Sequence, residues 1–359
     1  MVSGEWKSNA CEHEQSSFDH AGRPLFIYRS LFTINHLPLS RRAVNVRGGV
    51  RVRASCGGAR GCVSIWRVKA RPRSRRGEVE KNIPKQGGRG VAPRVAASCY
   101  LNSAPLVWSF LRGSRRREVE LLSDAAPARC ADMLARGQAD AALVPVIEYQ
   151  RLPEVAVVPG VCVGARREVR SVVLVTRGAE LRDVRTVALD TSSRTSAALV
   201  EIIFREFYGR EPRLESSPPD VREMLKERDA ALVIGDPAMT FPREGLRVYD
   251  MAALWREHTG LGFVFAMWMT RGDADDSALS LDFAAARDEG LASVEEIVAS
   301  YERELRLPRE ELRSYLLDNI CFHLDEEMRA GLELYFRLAH KHGIIRHVRP
   351  LKTVGTQAA

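Results

Sequence analysis

Residues 95–106, Val-Ala-Ala-Ser-Cys-Tyr-Leu-Asn-Ser-Ala-Pro-Leu, predict a buried strand that leads directly into a helix. The run 95–100 is long enough for one strand of a parallel sheet and too short for a helix. Ser103 precedes Pro105 and several apolar positions, which is typical of a helix that begins near Ser103. In open α/β sheets, ligands bind beyond the carboxyl ends of the strands, beside helix N-termini. Asn102 is therefore a candidate ligand-facing residue; the alternative is that it only caps the helix.

The charge of the chain is unevenly distributed. The 359 residues carry a formal net charge of +8, and residues 1–90 hold 18 Lys and Arg against 6 Asp and Glu. Residues 1–90 also lack a sustained apolar period, so we expect a disordered basic leader. A start codon assigned too far upstream is the alternative explanation. Arginine-rich segments can bind nucleic acid or anionic lipid, but we expect no nucleic acid on the folded part.

The cysteines and apolar runs exclude several classes of protein. The seven cysteines are widely spaced and form no CxxC pair or Cys/His cluster, so neither a metal site nor a disulfide framework is predicted. No glycine-rich phosphate loop is present, and we expect no cofactor. No secretory signal and no apolar run of 18 residues occur, so we expect a cytoplasmic protein without a membrane partner.

Beyond residue 90, predicted strands alternate with predicted helices. Apolar runs typical of strands lie at residues 95–100, 118–122, 139–146, 155–163, 169–176, 186–189, 213–214, 230–234 and 263–269. Residues 279–342 are helical in pattern. Such alternation implies parallel sheets with right-handed crossovers. We therefore predict an α/β, two-lobed type II periplasmic-binding-protein-like fold with a helical C-terminal part.

The chain is predicted to leave the first lobe and return to it. We expect residues 91–175 and 268–348 to form a discontinuous lobe 1, and residues 176–267 to form lobe 2. Residues 349–359 are predicted to be a tail. In this architecture a ligand lies in the cleft between the lobes.

Polar residues cluster where the predicted strands end, and these form the candidate site. The hydroxyls at residues 191–196 exceed what helix capping needs, which favours an anion site, and Arg194 could face a ligand carboxylate. Asn102, the ligand-facing candidate after the first strand, lies at the same predicted edge. The predicted substrate-binding residues are Ser103, Pro145, Ser192, Ser193, Arg194, Thr195, Ser196, Gly235 and Asp236.

Five blocks of sequence together resemble the chorismate dehydratase family of the futalosine route to menaquinone. The blocks are Tyr-Leu-Asn-Ser-Ala-Pro-Leu at 100–106, Leu-Val-Pro at 143–145, Ser-Ser-Arg-Thr-Ser at 192–196, Ile-Gly-Asp at 234–236 and Thr-Gly-Leu-Gly-Phe-Val-Phe-Ala-Met-Trp at 259–268. The resemblance runs from about Pro93 to Ile345 and leaves the leader uncovered. Gly262 stands where the family usually has proline, a change expected to loosen the return crossing.

The resemblance implies a hydro-lyase that converts chorismate to 3-[(1-carboxyvinyl)oxy]benzoate and water. In the family the substrate's own enolpyruvyl carboxylate is thought to remove the ring C3 proton. This would leave Asn102 as an orienting and charge-stabilising donor. Glu148 and His258 are the alternative bases. The negative charge of Glu148 would, however, repel a dianionic substrate.

Two other functions remain open from the sequence. The sister cyclase of the same pathway shares the fold and is expected to use a histidine base. A cytoplasmic small-anion binding protein or sensor of the same fold is the alternative from another class, since fold alone does not separate carrying a ligand from reacting on it.

Overall fold

The computed structural model describes residues 92–354 except 273 and 275, so the predicted leader lies outside the described residues. The strands of this part are β1 (Arg94–Ser98), β2 (Glu120–Asp124), β3 (Ala141–Pro145), β4 (Val155–Ala165), β5 (Val172–Thr176), β6 (Thr186–Asp190), β7 (Arg213–Ser217), β8 (Ala230–Ile234), β9 (Arg247–Asp250) and β10 (Phe263–Arg271).

Helices connect the strands and form most of the C-terminal part. They are α1 (Ala104–Leu111), α2 (Pro127–Ala135), α3 (Glu148–Arg151), α4 (Thr195–Ile202), α5 (Val221–Glu227), α6 (Asp236–Thr240), α7 (Met251–Thr259), α8 (Asp276–Leu279), α9 (Phe283–Ala292), α10 (Val294–Leu305), α11 (Arg309–Ser314) and α12 (Glu326–Lys341). Single 3-10 turns occur at Leu101–Ser103 and Leu181–Asp183, and π turns at Ile203–Phe207 and Tyr315–Asn319.

Two five-stranded mixed sheets are built on the same plan. Their strand orders are β2-β1-β3-β10-β4 and β7-β6-β8-β5-β9. Val95 of β1 pairs in parallel with Leu121 and Ala141, as Val187 of β6 pairs with Leu214 and Ala230. The parallel strands of each sheet therefore end at one edge, where the connecting turns and helix N-termini lie. This arrangement confirms the predicted α/β, two-lobed class.

The crossings between the sheets lie a few residues from the predicted lobe boundaries. β5 pairs with β8 and β9, so residues 172–175 belong to the second sheet although they were expected in lobe 1. β10 pairs with β3 and β4, so residues 263–267 belong to the first sheet although they were expected in lobe 2. Buried strands of both sheets have the same apolar, β-branched composition, and composition therefore does not reveal where the chain changes lobes.

Burial explains which elements the sequence predicted well. All five residues of β3 and all five of β8 are buried, and both strands lie within one or two residues of their predicted bounds. The edge strand β9 has no fully buried residue, and neither it nor helix α7 was predicted. Strand β2 ends at Asp124, two residues beyond the predicted end at residue 122. Edge strands carry few apolar residues, which weakens their sequence signal.

Helix α1 is held close to helix α9 by a glycine. A Cβ atom at Gly290 would lie 1.8 Å from the carbonyl oxygen of Pro105, so any larger residue would push the helices apart. Because Pro105 is in the first turn of α1, this contact fixes the position of the turn Leu101–Ser103 that precedes it.

The return crossing at Gly262 is closely packed. The Trp255 indole N–H donates to the Gly262 carbonyl oxygen at 3.2 Å, and a Cβ at Gly331 would lie 2.0 Å from that same oxygen. Helix α12 therefore packs directly on the crossing. Residues 349–354 of the predicted tail also dock on lobe 1, where the Tyr149 hydroxyl donates to the Pro350 carbonyl at 2.5 Å.

Candidate functional site

A cleft between the two sheets contains a cavity of about 50 Å³. Its wall includes the predicted residues Asn102, Ser103, Pro145, Ser192, Ser193, Arg194, Thr195, Ser196 and Gly235. The apolar part of the wall is made by Leu143, Val163, Val172, Ile234 and Phe265. Both lobes therefore contribute apolar side chains as well as polar groups to the cleft wall.

Asn102 lies in the 3-10 turn Leu101–Ser103 and caps no helix. The N-cap position of α1 is Ser103, and α1 has no side-chain cap. The Ser103 hydroxyl donates to Asn102 Oδ1 at 3.2 Å. The hydroxyl oxygens of Ser98 and Ser103 are hydrogen-bonded to each other at 2.8 Å. With its oxygen engaged, the amide nitrogen of Asn102 makes no regular hydrogen bond to a described residue. The capping alternative is therefore wrong.

The turn before α4 is shaped by the buried carboxylate of Asp190. Asp190 Oδ1 accepts from the Ser192 N–H at 2.8 Å and from the Ser192 hydroxyl, while Oδ2 accepts from the Ile234 N–H at 3.1 Å. Burial raises the pKa of Asp190, and these hydrogen bonds oppose that rise. Ser192 also accepts from the Tyr100 hydroxyl at 3.4 Å. Its hydroxyl proton is thus committed to Asp190 and is not available to a ligand.

Free donors remain at the start of α4. No protein hydrogen bond to a described residue is made by the hydroxyls of Ser193 and Ser196, which both line the cleft. The Thr195 hydroxyl accepts from the Ile147 N–H at 3.3 Å and still has its own proton to donate. Helix α4 has no side-chain cap, so the N–H groups of its first turn are unpaired within the helix. Such groups favour an anion.

Arg194 lines the cleft, but its guanidinium group is bound by protein carboxylates. Its nitrogens lie 2.6 Å from Asp132 Oδ1 and 2.9 Å from Glu148 Oε2. Arg151 binds the other oxygen of Glu148 at 3.1 Å. The expectation that Arg194 faces a ligand carboxylate is therefore not met, because this charge is used to join lobe 2 to α2 and α3 of lobe 1.

Gly235 and Asp236 form a second contact between the lobes. The backbone of Gly235 has φ +67°, and a Cβ there would lie 2.5 Å from the ring of Tyr100, so glycine is required on both counts. Asp236 Oδ1 accepts from the Leu101 N–H at 3.0 Å. Desolvation raises the pKa of Asp236 to about 7, and the Leu101 hydrogen bond opposes the rise. Asp236 lines a second, more open groove instead of the cleft.

Neither alternative base lies at the cleft. Glu148 is buried and held by two arginines, and it does not line the cleft. His258 is exposed on α7 and stacks on Phe207 at a centroid distance of 4.3 Å. Among the described residues that line the cleft there is no carboxylate and no imidazole.

Sequence reasoning missed Tyr100 and Phe265 as cleft residues. Both residues lie in sequence blocks quoted above. Aromatic rings are also typical of core residues, so neither was predicted to line the cleft. No group of three or more His, Cys, Asp or Glu residues suited to a metal occurs in the described part of the chain. No helix there is long and apolar enough to cross a membrane.

Comparisons with known proteins identify the family of this chain. The family described as menaquinone biosynthesis matches residues 93–341. Chorismate dehydratase of Thermus thermophilus is 32% identical over an alignment of 255 positions, which covers 66% of this chain and 91% of that protein.

Two solved structures show the same fold. A crystallised protein of Archaeoglobus fulgidus has a TM-score of 0.57 at 18% identity, covering 70% of this chain and 98% of that one. The periplasmic aliphatic sulphonate binding protein of Escherichia coli has a TM-score of 0.50 at 15% identity, covering 74% and 95%. Sequence and fold together place this chain in the menaquinone-biosynthesis family, as a relative of chorismate dehydratase.

Proposed function

We propose that the protein is a chorismate dehydratase, a hydro-lyase that forms 3-[(1-carboxyvinyl)oxy]benzoate and water. The observation that carries the proposal is the composition of the cleft wall. It offers an amide, free hydroxyls and unpaired N–H groups but no carboxylate or imidazole among the described residues. Such a wall suits a dianionic substrate that brings its own base.

The reaction needs few protein groups. The ring C3 proton passes to the enolpyruvyl carboxylate of the substrate, and the electron pair of that bond enters the ring. The C4–O bond breaks, and the proton joins the departing hydroxide to give water. Formation of the aromatic ring supplies much of the driving force, so the protein has to hold the substrate and stabilise developing charge.

The described residues divide this work between the two lobes. The ring would lie against Phe265 and Val163, and a carboxylate would lie at the start of α4, against the hydroxyls of Ser193 and Ser196. The Asn102 amide nitrogen, held from the side of its oxygen by Ser103, would donate to the second carboxylate or to the leaving hydroxyl. Because the cleft is enclosed by both lobes, water would be largely excluded during the reaction.

The cleft wall favours this reaction over that of the sister cyclase. A cyclase with a histidine base needs an imidazole at the substrate, and His258 stacks on Phe207 instead of lining the cleft. Retention of chorismate without reaction would instead indicate a small-anion binding protein of the same fold.

Incubation of the purified protein with chorismate tests the proposal. We expect an aromatic product whose mass is that of chorismate less one water, and a rate that survives dialysis against a strong chelator. A rise in melting temperature without consumption of chorismate would support the binding protein. Conversion of dehypoxanthine futalosine but not chorismate would support the cyclase.

A further inference from the structure

Thr195, the first residue of helix α4, is held by hydrogen bonds from two other elements. The Tyr335 hydroxyl of helix α12 donates to the Thr195 carbonyl oxygen at 3.0 Å, and both residues are almost fully buried. The N–H of Ile147, which follows β3, donates to the Thr195 hydroxyl at 3.3 Å. The start of α4 is therefore fixed by contacts from distant parts of the chain.

These two bonds take the place of a helix cap. Helix α4 begins without a side-chain cap, and the ends of helices fray. A carbonyl oxygen has two lone pairs, so that of Thr195 can accept from Tyr335 as well as from the helix N–H four residues further on. The bond from Tyr335 therefore adds to the bonding of the helix and holds the first peptide of α4 in place.

Tyr335 itself is rigidly placed. Its ring packs edge-on against Trp255 and Phe263, with ring centroids 6.5 and 5.1 Å away. One turn earlier on α12, a Cβ at Gly331 would lie 2.0 Å from the Gly262 carbonyl oxygen, so the helix is packed tightly on the return crossing. Burial raises the pKa of the Tyr335 phenol, and its hydroxyl therefore keeps its proton and remains a donor.

The bond at the Thr195 carbonyl also orients the next N–H group. The Thr195 carbonyl and the Ser196 N–H belong to one planar trans peptide, in which these two bonds point in opposite directions. Fixing the oxygen therefore fixes the direction of the N–H, which lies in the first turn and has no partner within the helix. Ser196 lines the cleft and is 3% exposed, and its hydroxyl makes no hydrogen bond to a described residue.

We propose that Tyr335 is a positioning residue for the start of α4, where it orients the Ser196 N–H toward a carboxylate of the ligand. This inference rests on the proposed function, which places a substrate carboxylate there. Donors that are already oriented bind a carboxylate more tightly, because they need no reordering when it arrives. The same bonds hold the carboxylate in the ground state and in the transition state, so Tyr335 serves binding and not the chemical step.

Tyr335→Phe separates this role from packing, because it removes only the hydroxyl. We expect KM, and the Kd of the reaction product, to rise about fivefold, the value of one net hydrogen bond, while kcat changes less than about twofold. Tyr149→Phe is the matched control. Tyr149 is also fully buried and also packs on Phe336, but its hydroxyl donates to the Pro350 carbonyl and it does not line the cleft.

Both variants should lose melting temperature, and only Tyr335→Phe should lose affinity. Titration calorimetry with the product and steady-state kinetics measure the difference. Equal losses of affinity in the two variants, or no loss in Tyr335→Phe, would overturn the inference.

Isotope labelling tests the contact without turnover. The chain has two Thr-Ser pairs, at 191–192 and 195–196, so protein with 13C-carbonyl threonine and 15N serine gives two correlated amide signals. The signal of Ser196 is the one that Ser196→Ala lacks. We expect Tyr335→Phe to shift it and to leave the Ser192 signal in place, whereas Tyr149→Phe should shift neither. An unshifted Ser196 signal in Tyr335→Phe would overturn the inference.

Addition of the reaction product to labelled wild-type protein supplies a test that needs no variant at Tyr335. The Ser196 signal should move as the product saturates the site, and a signal that stays in place would overturn the inference even if Tyr335→Phe failed to fold. A wild-type protein that binds chorismate without converting it would instead overturn the proposed function. The loss of affinity in Tyr335→Phe would then be measured with chorismate itself.

Discussion

Asn102 combines a fixed oxygen with an uncommitted nitrogen, which argues against capping and supports the catalytic role that we propose. Its oxygen is bound by Ser103, and no helix is capped by its side chain. A residue that only capped α1 would show a side-chain bond to a backbone N–H of the first turn. Asn102 instead resembles a preorganised donor, which lowers a reaction barrier because its orientation does not change as charge develops.

Substitution of Asn102 tests this role. Asn102→Ala should lower kcat by about a hundredfold or more, with little change in melting temperature because no cap is lost. Asn102→Asp keeps the shape but places a negative charge against a dianion, so turnover should collapse while the fold persists. Steady-state kinetics and thermal melts of both variants measure this. An alanine variant with near-normal turnover would remove Asn102 from the mechanism.

Ser193 and Ser192 are neighbours with different hydrogen-bond roles. Ser193→Ala should weaken substrate binding by about 2 kcal/mol, the usual value for a hydrogen bond to a charged group. Ser192→Ala removes the donor to Asp190 and the acceptor for Tyr100, so it should lower the melting temperature. Titration calorimetry with the reaction product, together with thermal melts, distinguishes the two. Equal affinity of Ser193→Ala and wild type would place the anion site elsewhere.

Single residues also show where sequence reasoning stops. The hydroxyl cluster at residues 191–196 was recognised because its position after a buried strand is visible locally. The pairing of Arg194 with Glu148 was not, because the two residues are 46 positions apart and nothing in either segment reveals the contact. The bond from Ser192 to Asp190 is local and could have been expected, since aspartate often binds the backbone two residues further on.

At the scale of elements, burial separates what was predictable from what was not. β1, β3, β6 and β8 are central strands with long apolar runs, so their carboxyl ends, and with them most of the cleft residues, could be located. The edge strand β9 and the exact crossings could not, because they depend on pairing partners distant in sequence.

The contact between α6 and the turn Leu101–Ser103 predicts a pH dependence. Desolvation raises the pKa of Asp236 from 3.8 to about 7, so between these values the folded protein retains a proton that the unfolded chain has released. The contribution of this group to stability is therefore greatest at low pH and falls as pH rises through that window. Asp236→Asn keeps the acceptor for Leu101 and removes the charge.

We expect the melting temperature of Asp236→Asn, relative to wild type, to be higher at pH 8 than at pH 5. Asp140→Asn is the control, because hydrogen bonding to Arg94 lowers the pKa of Asp140 and it does not titrate in this range. Its difference from wild type should be the same at both pH values. A flat difference for Asp236→Asn would show that its carboxyl group is already charged at pH 5.

The molecule as a whole is a pair of lobes closed on each other. Tyr100 bonds Ser192, Leu101 bonds Asp236 and Arg194 binds Glu148 across the cleft. The cavity left between the lobes, about 50 Å³, has room for only a few water molecules, so we expect these contacts to open before a larger ligand binds. Three of these residues, Tyr100, Ser192 and Arg194, also line the cleft, so the contacts that join the lobes and the cleft wall share side chains.

At the scale of the whole chain, we expect residues 1–90 to be dispensable for folding and for turnover. The match to the family begins at residue 93, β1 begins at Arg94, and the cleft and its contacts described above all lie within residues 92–354. A variant that begins at residue 91 should therefore keep its melting temperature and its turnover of chorismate. Removal through residue 98 is the control, since it deletes β1 from between β2 and β3 and should abolish folding. A large loss of stability or rate on removing residues 1–90 alone would show that the basic leader contributes to the folded protein, and would contradict its interpretation as dispensable.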